Sequence, residues 1–307
     1  MISAGRLWWL IQRDFRRGWR ASFHYYFTLP KIAGMGFEHA LPPAPPVPVH
    51  VLTGREDWLL AAWMLASWFA VTGMEWRIVI HDDGTLPTEA KNALQQIFPR
   101  CRFIDAAVAD QTMKAVLASF PNCLKYRFEH PLARKIFDVP HFTEGDRFLL
   151  FDSDLLFFRR PDEILQWTRA GVEECWFNAD VADSSFVSRD EARTRLGVDL
   201  WPKVNSGLCL VSKKAMDLAF CEQCLQETSV LEGKLWRVEQ TLFALCASKL
   251  NRGGLLPPSY LVTLDKHAPR DIIARHYVGP VRDQFYGEGL SRCNARTPLV
   301  PNLELGM

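Results

Sequence analysis

No run of apolar residues in this 307-residue chain reaches the ~18 needed to cross a bilayer, so the sequence offers no spanning helix. Net charge is almost absent as well. Lys+Arg 36 stand against Asp+Glu 35, which leaves +1 and excludes a global field suited to nucleic acid. There is no internal repeat, and the only low-complexity stretch is a short Pro-rich run. Disulfide density is also lacking. The 8 Cys are scattered, mostly inside apolar runs, and the chain is long enough to build its own core, so they read as reduced thiols in a cytoplasmic protein. Cys221 and Cys224 form a lone C-x-x-C in a helical stretch, without the second pair of ligands a zinc site needs. What remains is a globular composition, 48% hydrophobic and 23% charged.

Residues 1–36 differ from the rest. Arg6, Arg13, Arg16, Arg17, Arg20 and Lys31 face one acid, Asp14, among Trp8, Trp9, Phe15, Trp19, Phe23, Tyr25, Tyr26 and Phe27. Arginines interrupt every apolar stretch, so a secretory signal is not expected here. Two readings stand open: a segment lying in a membrane interface with its arginines on anionic lipid, or a helix docked on its own domain with its arginines solvated. The stretch LPPAPPVP (41–48) reads as a stiff linker, making residues 1–46 an appendage.

From Val47 apolar strands alternate with helices. VPVHVLTG (47–54), WRIVIHDD (76–83), CRFIDA (101–106) and RFLLFDSD (147–154) read as strands. Helices are predicted over 56–73, over 87–98, from Asp110 to Phe120 and from Leu124 to Val139. The pattern predicts an α/β fold, a Rossmann-like three-layer α/β/α arrangement with a mainly parallel sheet, whose ligands bind beyond the carboxyl ends of the strands. The second half is mixed. CWFNAD (175–180) and KVNSGLCLVS (203–212) read as strands, 161–168, 215–232 and 238–250 as helices, and SYLVTL (259–264) and RHYVG (275–279) as short extended pieces. The expected organisation is one domain over 47–307, with a nucleotide-binding half at 47–154, an acceptor-side half at 155–290 and a tail at 291–307.

The sharpest local feature is FLLFDSDLLFF, where Asp152 and Asp154 flank Ser153. On a strand two carboxylates at i and i+2 point to one side. Set among Phe and Leu they repel each other and resist desolvation, and a divalent cation relieves both costs. Carboxylate oxygens suit Mg²⁺ or Mn²⁺. The second feature is ARHYVGPVR (274–282). His276 can add a nitrogen ligand, Gly279 permits close backbone approach, and Arg282 carries the forked donors that suit phosphate oxygens. His24, His39, His50, His130, His141 and His267 show no recognisable partner.

An apolar strand ending in D-x-D resembles the nucleotide-sugar-dependent glycosyltransferases of GT-A type. The order VHVLTG, Arg134-Lys135, DSD, Asn205-Ser206-Gly207, Glu239-Gln240 and HYVGPVR is most similar to the retaining glycogenin-like family and its bacterial lipopolysaccharide galactosyltransferase relatives, over roughly residues 47 to 290. The resemblance implies that Asp152, Asp154 and His276 hold Mn²⁺ or Mg²⁺ at the diphosphate of a nucleoside-diphosphate sugar, with Ser153 beside the donor and Arg282 on the diphosphate. It places Thr53, Gly54 and Gly279 under the nucleotide or its phosphates and Asp82 at the base or ribose. Either Arg134 or Lys135 reaches the donor, and Asn205, Glu239 and Gln240 line the sugar and acceptor pocket. The chain departs from the family in H-x-x-G for H-x-G, Arg for Lys, Glu-Gln for Asp-Gln, and Thr53-Gly54 where the first strand has an Asp.

Plainer readings stand beside these. Asn205-Ser206-Gly207 fits a strand-entry turn, HDDG a turn after a strand, Glu239 a helix start, and Arg134-Lys135 a solvated helix face. The implied function is metal-dependent sugar transfer to a glycan, lipid-linked or protein acceptor, in the cytoplasm or peripherally on the inner face of a membrane. Glu239 or Asp180 would serve as base if the reaction inverts, and none is required if it retains. Two other functions fit parts of the pattern: a haloacid-dehalogenase-like phosphatase, which also places D-x-D after an apolar strand, and a non-catalytic nucleotide-binding module on the same fold.

Overall fold

The computed structural model describes residues 4–231, 235–293 and 299–301. Its strands are β1 (Met35–Phe37), β2 (Val49–Thr53), β3 (Ile78–Asp82), β4 (Arg102–Ile104), β5 (Arg147–Phe151), β6 (Leu155–Phe157), β7 (Cys175–Ala179), β8 (Val204–Ser212), β9 (Gly253–Leu255), β10 (Tyr260–Val262), β11 (Ala274–His276) and β12 (Leu299–Pro301). A seven-stranded sheet in the order β4-β3-β2-β5-β8-β7-β9 forms the middle layer. β2 runs parallel to β3 and to β5, β3 to β4, and β7 to β9, while β8 runs antiparallel to both neighbours. Strands from both predicted halves therefore share one sheet.

β5 shows why three layers form. Its residues alternate faces, as strand geometry requires. Leu149 and Phe151 join the core beneath α3 (Trp58–Thr72), whereas Phe148 and Leu150 join the core beneath α6 (Pro121–Glu129), α7 (Ala133–Phe142), α10 (Leu218–Glu227) and α11 (Val238–Leu250). Both faces are covered, so the strand is apolar from Phe148 to Phe151. α3 is apolar all round because it is enclosed, and it stops at Gly73, whose φ of 64° is the left-handed C′ conformation glycine adopts freely.

Several boundaries differ from those expected. Strand 147–154 ends at Phe151. Asp152 donates its N–H to Gly207 O, and the chain then turns into β6, which pairs with β11 in a separate three-stranded sheet. The helix expected from Leu124 to Val139 is two helices, because Pro131 forces His130 into an extended conformation. The helix expected over 110–120 lies at α5 (Ala106–Val116), and that over 215–232 is shortened to α10, capped by the Asp217 carboxylate. Between α5 and α11 the chain also forms α8 (Asp162–Ala170) and α9 (Arg189–Leu196).

Residues 1–46 are not a simple appendage. Ala21, Leu29 and Ile32 are buried in the α3 core, β1 pairs with β12, and the Pro-rich stretch is held by Ala44 and Glu75, through Ala44 N–H to Glu75 O and Glu75 N–H to Pro42 O. Apolar side chains spaced along 21–37 outweigh the extended linker that follows. The 291–307 tail falls largely outside the described residues. All eight Cys are buried, and none forms a disulfide.

Candidate active site

The chain proceeds from β2 to β3 and β4 on one side, then returns to place β5 on the other. The carboxyl ends of β2 and β5 therefore bound a topological switch point, where open α/β sheets bind ligands. Thr53 closes β2, and Asp152 follows β5.

Asp152 and Asp154 occupy the turn between β5 and β6. β11 runs beside β6, opposing His276 to Leu155. His276 Nε2 comes 3.1 Å from Asp154 Oδ1 and 3.7 Å from Asp152 Oδ2. Candidate ligand atoms of these three side chains lie within 4.8 Å of one another, the only such cluster among the described residues. The other ring nitrogen, Nδ1, lies 2.9 Å from Asn205 Oδ1. An amide oxygen can only accept, so Nδ1 donates to Asn205, and without an ion Nε2 donates to Asp154. A metal would displace that Nε2 proton and take the lone pair, while the Nδ1 bond keeps the ring oriented. Two carboxylates and one imidazole suit Mn²⁺ or Mg²⁺. Without an ion, burial opposes charge on His276, but Asp154 beside it raises its pKa. Burial likewise opposes charge on Asp154, and His276 holds its pKa below the usual carboxylate range.

Gly207 explains how the ring approaches. A Cβ there would meet His276 Cε1 at 2.2 Å. Asn205-Ser206-Gly207 is not a strand-entry turn but the interior of β8, where the register against β7 shifts between Phe177 and Asn178. The bulge turns Asn205 toward His276, as bulges near functional sites re-aim side chains.

Behind Asp152 sits Lys135 of α7, fully enclosed. Its Nζ is 2.7 Å from Asp152 Oδ1 and 3.0 Å from Glu239 Oε1. Glu239 also accepts from Ser206 Oγ at 2.9 Å. Burial raises the Glu239 pKa, with Lys135 opposing; burial lowers that of Lys135, and Asp152 and Glu239 more than reverse it. Gln240 Nε2 and Asn205 Nδ2 both reach Asp180 Oδ2, at 3.3 and 3.4 Å. Arg282 pairs with Asp57 at 2.7 Å and brings its Nε 3.6 Å from Asp154 Oδ2. Asp57, at the start of α3, is a residue the sequence reading missed; the signal was an acid one short loop beyond the first strand.

The other candidates divide. Lys135 lies in the cluster, whereas Arg134 turns away to Asp110 at 3.0 Å and Asp138, beside the buried Arg127. Adjacent helix residues face different directions, so the pair could not share one role. Asp82 is taken up in its own turn: Oδ1 accepts from Gly84 and Leu86 N–H, and Oδ2 pairs with Lys91 at 3.0 Å. Those contacts, Lys91 first among the favourable ones, overcome burial and lower its pKa. The turn reading accounts for Asp82. Ser153 is buried between the two aspartates, and Thr53 is buried with its hydroxyl unpartnered. Gly54 is needed for Asp83, whose carboxylate would lie 2.2 Å from a Cβ. At Gly279 an added Cβ would touch nothing.

Four carboxylates (Asp57, Asp152, Asp154, Glu239) thus gather around two permanent cations, Lys135 and Arg282. A divalent cation offsets that excess and would let a diphosphate approach.

No protein-family model and no curated protein matches the sequence. Solved structures do. The bifunctional glycosyltransferase WbbM, in its apo form, is 13% identical with a TM-score of 0.53 over 86% of this chain, which spans 52% of WbbM. This chain therefore covers about half of that protein. The galactosyltransferase LgtC, in complex with donor and acceptor sugar analogues, is 18% identical with a TM-score of 0.53, over 83% of this chain and 98% of LgtC. At such identities the likeness shows the fold, and that fold is the GT-A type that the resemblance implied.

Proposed function

We propose that this protein is a metal-dependent glycosyltransferase. It moves a sugar from a nucleoside-diphosphate sugar to a glycan, lipid-linked or protein acceptor, with retention at the anomeric carbon, at or near a membrane surface. The observation that carries this reading is the meeting of Asp152, Asp154 and His276 with Arg282 at the switch point of the sheet.

Breaking the anomeric bond expels a nucleoside diphosphate whose negative charge grows as the bond lengthens. Mn²⁺ or Mg²⁺ held by Asp152, Asp154 and His276 supplies a preorganised positive charge at that diphosphate when bound. Arg282, anchored through Asp57, presents its remaining donors to the same oxygens. Lys135 fixes Asp152 in place and neutralises Glu239. Thr53, Ser153 and Gly279 line the donor side, and Asn205 and Gln240 the sugar and acceptor side. Glu239, enclosed between Lys135 and Ser206, is a positioning residue. Asp180 is occupied by two amides. Both carboxylates are taken up by these contacts and neither is free to accept the proton of an acceptor hydroxyl, which supports retention.

The test is turnover of nucleotide sugars with Mn²⁺ and after chelation. Chelation should abolish hydrolysis, and Asp154→Asn should lower it on the order of 10²- to 10³-fold, the usual cost of one lost electrostatic contact at a reacting centre. Unchanged turnover in either case overturns the site. NMR of the first-formed anomer decides retention.

A further inference from the structure

We infer that the outward face of the N-terminal helices docks on an anionic membrane surface; this deepens the reading above by naming the surface and the lipid charge it meets. α1 (Ala4–Arg17) and α2 (Trp19–Phe23) turn several aromatic side chains outward and hold Arg13 and Arg17 inward. Arg13 donates to Asp14 and to the Tyr26 hydroxyl, which itself donates to Asp14. Arg17 turns inward to Asp283 at 2.8 Å and lies over the rings of Tyr25 and Tyr286. Six of the described apolar side chains point outward: Trp8 is 62% exposed, Phe15 88%, Trp19 84% and Phe27 60%, with Ile11 and Phe23 also exposed. Positions 8, 11 and 15 follow helical spacing on α1, and 19 and 23 on α2. Exposed rings beside ion pairs turned inward are stable against an apolar medium, not water.

Charge selects the occupant. Arg16 and Arg20 are exposed, and neither pairs with a carboxylate among the described residues; Lys31 is exposed too. Asp14, the only acid of residues 1–36, is already engaged. An isologous contact with a second copy would set this basic face against itself. Anionic lipid head groups complement it while the bilayer interface takes up the rings. Asp283, which holds Arg17, adjoins Arg282, whose Nε faces Asp154. Docking therefore brings the candidate active site to the lipid surface, and on the sugar-transfer reading it points to a lipid-borne acceptor.

The experiment is flotation of the full-length protein with phosphatidylcholine vesicles, with and without a third of phosphatidylglycerol. Binding should be roughly 10- to 30-fold stronger on the anionic vesicles and should weaken with salt. Phe15→Asp with Trp19→Asp should abolish flotation while leaving the unfolding midpoint and donor hydrolysis unchanged. Arg16→Gln with Arg20→Gln should remove the preference for anionic lipid. Failure of the wild type to float, or flotation of the double aspartate variant at wild-type level, overturns the inference. So does a wild-type dimer that the aspartate pair dissolves, since a second copy would then cover the face. Flotation without any nucleotide-sugar turnover would refute the transferase reading alone.

Discussion

One methyl group separates the observed site from a displaced one. An alanine at 207 would drive its Cβ into the His276 ring, which is backed by Asn205 and cannot retreat without losing its Nδ1 bond. Gly207→Ala should therefore weaken Mn²⁺ affinity by about 10- to 100-fold, the range seen when groups that orient a ligand are disturbed. It should cost roughly 1–3 kcal/mol of stability for the overpacking. Calorimetric Mn²⁺ titration and urea unfolding check both. Gly279→Ala is the control, since its Cβ meets open space: stability should stay unchanged, and only donor affinity should fall. At this scale the sequence was informative where chemistry is local. Two aspartates pressed between Phe and Leu announce themselves, and a late His with an Arg six residues on gains weight only beside them. The choice between Arg134 and Lys135 was not legible, because it depends on which side of α7 faces the β5 turn. The purpose of Gly207 was hidden for the same reason: the ring it admits lies 69 positions away in sequence.

Among the elements, the buried parallel strands were the most legible. β2 and β3 are short apolar runs ended by turn residues. The bulge in β8 was not legible, since it exists only against β7. The polar pair that β2 and β3 bury between them was not legible either. His50 and His81 are fully enclosed, with His50 Nδ1 2.9 Å from His81 Nε2 and His50 Nε2 3.1 Å from Thr143 Oγ1. The Thr143 hydroxyl donates to Val139 O, so it accepts from His50. His50 Nδ1 must then accept from His81, and both rings are neutral. Burial, with Arg102 next, pushes His81 down to about 3; burial, with His81 next, holds His50 well below the usual value. The unfolded chain takes up these protons near pH 6.5 and the folded chain does not. Acid therefore favours unfolding, and stability falls as pH drops from about 6.5 toward 3 by about 1.4 kcal/mol per pH unit for each ring. His81→Gln, which keeps a donor toward His50, should make that decline shallower by about 1.4 kcal/mol per unit. Urea unfolding of both proteins at pH 7, 6 and 5 reads it, and parallel curves would refute the neutral pair.

For the whole molecule, the question is where the fold begins. The composition shift near Val47 suggested that residues 1–46 are an appendage. Packing contradicts this, because Leu29 and Ile32 are enclosed under α3 and Trp63 Nε1 donates to Leu29 O. Burying each of those two side chains contributes about 1.5–3 kcal/mol. Removing residues 1–36 should therefore lower the melting temperature on the order of 10 °C, at about 2–4 °C per kcal/mol for a chain of this size. Removing residues 1–10 takes away exposed Trp8 but none of the pairs formed by Arg13, Asp14 and Arg17. It should leave the melting temperature within about 2 °C, as surface changes usually do. Differential scanning calorimetry separates the two outcomes. Equal melting temperatures for both truncations would mean that residues 21–37 sit on the domain without supporting it. A large loss from the shorter cut would mean that α1 belongs to the core, and its outward rings would then need another explanation than a membrane.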